Sequence, residues 1–308
     1  MSERTADDVY SRVTRHIVTA IERGAGEYRM PWHGGVGSRL PVNVASDQGY
    51  RGVNVLSLWA AAQEKGYESA LWGTYGQWHA LGAQVRKGEK ATPVVFWTQV
   101  SQGEAAAGAG EAAEGAEREK TYVLGRGYWV FNASQVDGFS PGPTARLSAE
   151  ERVRAADDFL FGVGADIRHG GGVACYWPRR DFIEMPPYEN FKSAEAYYGT
   201  LAHELTHWTG GAGRLVRDLK QRFGTAAYAA EELVAELGAA FQLARLGLSA
   251  EPHPDHASYV ASWLTLLKND TRAVFTAAGR AQQAVDWLER RHALVQEGRQ
   301  QPVNEHER

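Results

Sequence analysis

Cysteine is nearly absent from this chain: Cys175 is the single one among 308 residues, so no disulfide can form within the chain. That scarcity is typical of proteins from a reducing compartment. No window offers the roughly eighteen uninterrupted apolar residues that a membrane-spanning helix needs. The first residues, MSERTADDVYSRVTRHIV, lack the apolar core and the small-residue cleavage site of a secretory signal. We therefore expect a cytoplasmic protein that does not contact a membrane.

An excess of charge of one sign is also lacking. The net charge is −4, from 33 basic and 37 acidic residues. When the acidic stretch 101–120 is set aside, residues 1–140 contain 12 basic residues and 10 acidic ones. An excess of two basic residues is too small to establish nucleic-acid binding, and it does not exclude it. The composition, 44% hydrophobic and 23% charged, is that of an ordinary globular protein.

Residues 101–120, SQGEAAAGAGEAAEGAEREK, contain no aromatic and no β-branched residue. A segment so rich in alanine, glycine and glutamate cannot bury a core, so we expect it to be flexible. It joins two runs that are rich in β-branched and aromatic residues, Pro93–Val100 and Tyr122–Phe131. Such runs predict strands. The sequence therefore predicts a long hairpin with residues 101–120 at its tip.

Residues 137–146, DGFSPGPTAR, hold two prolines and two glycines and indicate a boundary between domains of residues 1–140 and 141–308. The expected fold class is α+β: an α/β domain that carries the long hairpin, followed by a helix-rich domain with a small sheet. The predicted helices cover Ala6–Gly24, Val55–Lys65, Ser148–Phe161, Ser193–Trp208, Ala226–Leu246, His256–Asp270 and Thr271–Leu294, and the strands of the small sheet cover Val173–Trp177 and Asp181–Met185.

The segment His203-Glu204-Leu205-Thr206-His207 has the spacing of a metal site. Four residues advance a helix by about 400°, so both imidazoles lie on one face and can share a cation. Glu204 can then lean toward the same cation without binding it and deprotonate a metal-bound water, whose pKa the cation lowers to about 7. The alternative is a surface helix with two solvated histidines.

A site of this type needs a third protein ligand. In a second predicted helix, Glu232 and Glu236 lie four residues apart on one face. Glu232 is the expected ligand, and Glu236 is the expected acceptor for the ring N–H of a ligand histidine. Glu231, about 100° away around the helix, is the alternative ligand. Zinc is the expected metal, with manganese as the alternative because one ligand atom is an oxygen.

This arrangement resembles that of the zincin metallopeptidases whose third ligand is a glutamate. In that comparison, the predicted strands within Val173–Met185 lie beside the metal cleft and present an edge to an extended peptide. The residue that would stabilise the tetrahedral intermediate remains open among Tyr198, Tyr228 and Arg214.

The remaining histidines and the cysteine belong to no motif. Cys175 lies in an apolar run and is expected to be a small core residue and not a nucleophile. His33, His79 and His169 are isolated in the sequence.

Tryptophan is concentrated in the first half of the chain, with six of the ten in residues 1–140. Aromatic faces beside arginine and lysine are typical of proteins that bind single-stranded nucleic acid. A basic run in a predicted turn, VRKGEK, follows Trp78 and precedes Trp97. The alternative is a tryptophan-rich core with a solvated basic turn. The candidate DNA contacts are Arg51, Asn54, Tyr75, Trp78, Arg86, Lys87 and Lys90.

Several segments together resemble the ArdC-type antirestriction proteins of conjugative plasmids and related mobile elements. The resemblance implies a first domain that binds single-stranded DNA without sequence preference and a second domain with a zincin-like metallopeptidase fold. It also implies a role in shielding incoming plasmid DNA from host restriction. The stretch 101–120 departs from the family pattern without touching a motif. The matching segments are Pro31-Trp32, Asn43, Tyr50–Asn54, Thr74–Trp78, Leu81–Lys90, Val130–Gly138, Leu201–Gly210, Tyr228–Phe241 and Tyr259–Asp270.

Three functions compete at this point. In the first, the protein binds single strands and its metal domain is an active protease that acts on a host restriction subunit or another protein. In the second, the metal domain is a structural or interaction module, and protection comes from DNA binding or from contact with the restriction enzyme. In the third, the protein is a metallopeptidase whose aromatic domain recognises polypeptide. Glu204 favours catalysis, because a structural zinc site has no need of a general base.

Overall fold

The structure is a computed structural model. Apart from Ser101, the stretch predicted to form the hairpin tip lies outside the residues that it describes, as do residues 142–146 of the predicted boundary. The described chain is α+β, as the sequence predicts. The described residues are 2–25, 30–33, 39–101, 121–141, 147–219, 225–251 and 256–300.

In the first half, helices and strands alternate, and short strands precede the long hairpin. A half-buried capping box starts the third helix: the Thr74 side chain accepts the Gln77 N–H, and the Gln77 side chain accepts the Thr74 N–H. The elements are α1 (Ser2–Ala25), β1 (Val42–Asn43), α2 (Val53–Lys65), β2 (Leu71–Gly73), α3 (Tyr75–Ala80), β3 (Gln84–Val85), β4 (Thr92–Ser101), β5 (Thr121–Asn132) and β6 (Val136–Asp137).

Strands β4 and β5 form the predicted hairpin, paired antiparallel from Thr92↔Val130 to Ser101↔Thr121. They complete a sheet of order β1-β2-β5-β4, which makes β4 an edge strand. Side chains of α2 cover part of this edge. Asn54 Nδ2 donates to the Val95 carbonyl at 2.7 Å, and the Val95 N–H donates to Asn54 Oδ1 at 2.7 Å. The backbone of Val95 is therefore satisfied by a side chain and not by a further strand.

The second half is dominated by helices. Its first helix begins at a capping box, in which Ser148 Oγ accepts the Glu151 N–H and the Glu151 carboxylate accepts the Ser148 N–H. A small sheet of order β7-β9-β8 follows, with β8 at one edge. The elements are α4 (Ala149–Gly162), β7 (Asp166–His169), β8 (Cys175–Trp177), β9 (Phe182–Met185), α5 (Ala194–Thr209), α6 (Ala226–Arg245), α7 (His256–Asn269) and α8 (Ala273–Gln300).

A single cluster of buried apolar residues runs through both halves. It includes Ile17 of α1, Trp59 of α2, Phe241 of α6 and Leu288 of α8. The rings of Trp59 and Phe241 lie 5.8 Å apart, centroid to centroid. The two predicted domains thus share one core, and their division at residue 140 stays a prediction. Among the described helices, none is both long and apolar enough to cross a bilayer.

Candidate metal centre

The two helices that carry the predicted metal ligands, α5 and α6, pack in close contact. A Cβ atom at Gly238 would lie 2.5 Å from Thr206 Oγ1, so only glycine fits there. One turn later, Gln242 Nε2 donates to the Ala202 carbonyl at 3.1 Å and to Thr206 Oγ1 at 2.9 Å. This close approach brings Glu232, earlier in α6, against the histidines of α5.

His203, His207 and Glu232 form a cluster with the dimensions of a metal site. Their ligating atoms all lie within 4.8 Å of one another. Nε2 of His203 lies 3.5 Å from Glu232 Oε2, and Nε2 of His207 lies 3.6 Å from Glu232 Oε1. Tetrahedral zinc, with bonds of about 2.0–2.2 Å, holds its ligand atoms roughly 3.3–3.6 Å apart. The donor set and its spacing therefore fit a divalent cation.

The charges around this cluster also fit a cation. Burial by itself lowers the pKa of His203, but hydrogen bonds with the carboxylates of Glu232 and Glu236 raise it to about 10. Burial by itself raises the pKa of Glu232, but the hydrogen bond with His203 lowers it to about 2. Four buried carboxylates around two histidines favour a positive charge at this place, which either a proton on His203 or a metal cation can supply. The buried carboxylates are those of Glu204, Glu231, Glu232 and Glu236.

Behind His207 lies a buried ion pair. His207 Nδ1 is 3.3 Å from Oε1 of Glu231, which lies on the side of the histidine away from Glu232. Arg217 Nε donates to both Glu231 oxygens at 3.1 Å, and its Nη2 donates to Oε1 at 3.0 Å. Burial raises the pKa of Glu231, but His207 and Arg217 together hold it below its usual value. Glu231 therefore orients His207, and its contacts with Arg217 leave Glu232 as the better placed ligand.

Behind His203 lies a second carboxylate, that of Glu236, whose Oε2 is 3.8 Å from His203 Nδ1. Its other oxygen contacts the first half of the chain. His33 Nε2 lies 2.8 Å from Glu236 Oε1, and Trp32 Nε1 donates to the same oxygen at 3.4 Å. The Met30 N–H donates to His33 Nδ1 at 3.1 Å, so in the neutral ring the proton is on Nε2 and faces Glu236. The first half of the chain thus contributes to the surroundings of the metal cluster.

Glu204 lines a cavity of about 260 Å³, and the three clustered ligands His203, His207 and Glu232 line it as well. Its Oε2 accepts the backbone N–H of Tyr176 at 2.7 Å, which ties the edge strand β8 to α5. Burial raises the pKa of Tyr228, another lining residue, and its hydroxyl lies 3.1 Å from that of Tyr259. The general base expected from the sequence therefore lies at an open space beside the cluster, with two phenols opposite.

Of the three residues considered for stabilising an oxyanion, Tyr228 is the one that lines this cavity. Tyr198 donates its hydroxyl to Asp157 at 3.2 Å instead. Arg214 is engaged elsewhere, since its Nη1 donates to Asp181 at 3.0 Å and its guanidinium lies 4.4 Å from the ring centroid of Trp208. Tyr198 and Arg214 therefore stabilise the fold around the site.

Cys175 is half-buried in the wall of the same cavity and not in the core as expected. Burial, with the nearby carboxylates of Glu204 and Glu184, raises the pKa of its thiol to about 11. At neutral pH the thiol is protonated, so the expectation that it is no nucleophile agrees with its surroundings.

Two of the candidate DNA contacts lie in the interior. Trp78 is fully buried and donates from Nε1 to the Phe131 carbonyl at 3.0 Å. Asn54 is buried against the edge of β4, where its amide satisfies Val95. Both side chains were expected at the surface. They stabilise the sheet instead, because each saturates backbone groups that would otherwise be buried without a partner.

The other candidate DNA contacts are exposed. Lys87 and Lys90 point to solvent, beside a shallow depression that Tyr75 and Lys87 line. Arg86 is held by Glu89 at 3.0 Å, by Asp137 at 3.4 Å and by the Ser134 carbonyl. Arg51 lies apart from them and pairs with Asp286 of α8. The basic turn thus has two lysines directed outward and one arginine that fixes the turn.

Sequence reasoning missed four residues that shape the metal cluster. They lie far from the ligands in sequence or outside any recognisable spacing, so no local sequence pattern predicts their contact with the metal cluster. Two signals were present: His33 directly follows Pro31-Trp32, and Tyr259 begins Tyr259–Asp270, and both segments carry the family resemblance. The missed residues are His33, Arg217, Gln242 and Tyr259.

Comparisons with known proteins agree with this architecture. A family model described as the N-terminal domain of anti-restriction factor ArdC matches residues 7–131, and one described as a zincin-like metallopeptidase matches residues 154–280. The metal-free crystal structure of the antirestriction ArdC protein from plasmid R388 is 40% identical to this chain, with a TM-score of 0.74 over 93% of this chain and 98% of that one. The Mn(II)-bound structure of that protein is similar at a TM-score of 0.73.

Three further proteins are similar to this chain in sequence. The uncharacterized protein y4eC of Sinorhizobium fredii (strain NBRC 101917 / NGR234) is 51% identical over 286 residues, which is 92% of each chain. Two DNA primases TraC of Escherichia coli are each 36% identical over about nine-tenths of this chain. This chain spans 19% and 27% of those two primases.

Proposed function

Because the chain belongs to the family of ArdC-type antirestriction proteins, we propose that it protects incoming plasmid DNA from host restriction. In this proposal residues 1–140 bind single-stranded DNA without sequence preference, and residues 141–308 form a metallopeptidase domain. The observation that carries it is the cluster of His203, His207 and Glu232 beside an open cavity that Glu204 faces. This role places the protein in the cytoplasm.

His203, His207 and Glu232 would hold the metal. We propose zinc, since two imidazoles and a carboxylate are a common catalytic zinc set. Manganese is the alternative, because the related ArdC structure was solved with Mn(II). The carboxylates of Glu231 and Glu236 would orient the two histidines through their second ring nitrogens. Hydrogen bonds of this kind fix the tautomer that leaves Nε2 free to bind a metal.

The chemistry proposed for the cavity is hydrolysis of a peptide bond. When bound, the metal would polarise the scissile carbonyl and acidify a water molecule. Glu204 would take the proton from that water and pass it to the leaving nitrogen. Tyr228 would donate its hydroxyl to the developing oxyanion, since burial raises its pKa and keeps it protonated. The substrate, a host restriction subunit or another protein, would lie between β8 and the two phenols.

The test is a paired assay on the purified protein. Metal analysis and titration with single- and double-stranded oligonucleotides are carried out on the wild type and on Glu204→Gln, with peptidase activity measured on an unfolded protein. We expect about one metal per chain and single-strand binding in both forms, and peptidase activity in the wild type alone. His203→Ala should lose the metal, and a His203→Ala protein with stoichiometric zinc would contradict the ligand assignment. Metal without single-strand binding would remove the proposed DNA-binding role.

A further inference from the structure

We propose that the cleft along the edge of β4 is where this protein binds the unstacked bases of single-stranded nucleic acid. This inference rests on the proposed single-strand binding and assigns the contacts with the bases to a surface other than the basic turn. The cleft has a volume of about 720 Å³ and lies between the loop before α2, the edge of β4 and helix α8. Its lining includes the aromatic residues Tyr50, Phe96, Trp97 and Phe275.

The hairpin beside this cleft exposes four large aromatic side chains. Each of them is 41–48% exposed, although tryptophan and phenylalanine are usually buried. Phe96 and Tyr128 form one contiguous surface, with their rings 5.3 Å apart in an edge-to-face contact, and the buried ring of Tyr50 lies 6.4 Å from that of Phe96. An exposed aromatic surface of this kind marks a binding site, and aromatic rings bind bases of any sequence by stacking. The four are Phe96, Trp97, Tyr128 and Trp129.

A polypeptide cannot extend the sheet along Pro93–Val95, the part of this edge that side chains of α2 cover. Strand addition needs free backbone N–H and C=O groups along β4. At Val95 both groups are bonded to Asn54, and at Pro93 there is no N–H and the carbonyl accepts from Ser57 Oγ at 2.8 Å. Along this part of the edge, recognition is therefore through side chains, which suits bases better than an extended peptide backbone.

The polar lining of the cleft fits bases as well. Amide side chains carry both donors and acceptors, so they bond the edges of any base without selecting one. Asn43 and Gln77 hydrogen-bond each other across the cleft wall at 3.2 Å, and Gln48 and Gln283 also line it. Gln77 belongs to α3, the helix whose first residue, Tyr75, lines the depression at the basic turn. Helix α3 therefore connects the cleft with that turn.

Arginines border the aromatic surface and would contact phosphates. Arg51 lies at the rim and pairs with Asp286, the acidic residue among the described lining residues. Arg126 is exposed on β5 directly opposite Phe96 in the hairpin register. On the other face of the hairpin, the guanidinium of Arg12 lies 5.2 Å from the ring centroid of Trp129. Cations around stacking rings are the arrangement by which single strands are bound.

The experiment measures binding of a dye-labelled deoxythymidine oligonucleotide to the full chain by fluorescence anisotropy. Phe96→Ala and Tyr128→Ala should each weaken binding at least about fivefold, because stacking contributes about 1–3 kcal/mol per base. The control is Tyr188→Ala, an equally exposed aromatic residue outside the cleft, which should bind as the wild type does. Circular dichroism and metal content check that each variant is folded.

Failure of this inference is distinct from failure of the proposed function. A wild type that does not bind the oligonucleotide contradicts the proposed single-strand binding itself. If the wild type binds the oligonucleotide and Phe96→Ala and Tyr128→Ala bind it equally well, only the assignment of binding to the cleft is overturned. Photocrosslinking of the wild type to an oligonucleotide with 5-iododeoxyuridine avoids the variants, and crosslinks are expected at Phe96, Trp97 or Tyr128. Crosslinks confined to the basic turn, or displacement of the oligonucleotide by an unfolded polypeptide at equal concentration, would overturn the assignment.

Discussion

His33 Nε2 lies 2.8 Å from Glu236 Oε1, and Glu236 Oε2 lies 3.8 Å from His203 Nδ1, so a residue of the first half of the chain reaches the metal cluster through one carboxylate. All three side chains are buried. A carboxylate that is hydrogen-bonded on one side keeps its orientation towards the histidine on the other. The two halves of the protein are therefore connected at the site as well as through their common core.

Loss of the contact between His33 and Glu236 should weaken metal binding. We expect His33→Ala to raise the dissociation constant for zinc about 10- to 100-fold, the range found when a residue that orients a ligand is removed. His33→Gln, whose amide N–H can donate to Glu236, should recover much of the affinity. The measurement is a competition titration of the metal-free protein against a chromophoric chelator. Equal zinc affinity in His33→Ala and the wild type would show that Glu236 needs no support from the first half.

The metal ligands could be predicted from the sequence, and His33 could not, for one physical reason. Side chains four residues apart on a helix share a face whatever the rest of the fold does, so the spacing of His203 and His207 is sufficient. The position of His33 depends on how the segment around Trp32 packs against α6, which is a property of the whole core. Strand β7 escaped prediction for a related reason, since Asp166–His169 is polar and short and gains its stability from pairing with β9.

Which aromatic residues are exposed could not be predicted from the sequence either. Composition predicts that a chain with six tryptophans in its first half exposes some of them, but it cannot say which. Trp78 is buried because α3 packs it under Phe131, whereas Trp97 and Trp129 lie on the outer part of a hairpin. The basic turn was correctly expected at the surface, but its Arg86 is fixed by two carboxylates and a carbonyl.

The pair of Arg217 and Glu231 should make stability depend on acid pH. The folded-state pKa of Glu231 is held below its usual value of 4.5. A carboxyl with a lowered folded pKa stabilises the protein fully above its unfolded pKa and loses that contribution as the pH falls through the folded one. Arg217→Gln should cost about 3 kcal/mol near pH 7, where it leaves a buried carboxylate without its cation. The difference from the wild type should shrink as the pH falls below the usual pKa of 4.5, because Glu231 without its cation is protonated first, and it should be smallest where Glu231 is protonated in the wild type as well.

Urea unfolding of the metal-free protein, followed by circular dichroism between pH 3 and 7, measures this difference directly. A difference between Arg217→Gln and the wild type that stays constant over the whole range would show that Arg217 stabilises through Thr206 and Thr209 and not through Glu231. Both are contacts of its guanidinium, at 2.5 Å to the Thr206 carbonyl and 2.9 Å to Thr209 Oγ1.

Gly238 should be indispensable to the packing of α5 on α6. Gly238→Ala places a Cβ 2.5 Å from Thr206 Oγ1, and overpacking of this kind costs about 1–3 kcal/mol. We also expect weaker zinc binding, because a shift of α6 moves Glu232 away from the histidines. The control is Gly279→Ala in α8, where a Cβ meets nothing within 4 Å and the better helix propensity of alanine should stabilise by about 0.5–1 kcal/mol. If both variants unfold at the same urea concentration, the close contact of α5 and α6 is not what requires glycine.

Single-strand binding should depend steeply on salt if phosphates contribute to it. For single strands the slope of log affinity against log salt falls by about 0.7 for each phosphate contact. Lys87→Gln and Lys90→Gln should each reduce the slope by about that amount and weaken binding to all sequences alike, because both ammonium groups point to solvent. Arg86→Gln serves as a contrast, since its guanidinium is engaged within the turn and should change the slope less. The measurement is a set of anisotropy titrations between 50 and 300 mM salt. Binding that does not change over this range would contradict the electrostatic contribution, and would leave stacking as the whole of the affinity.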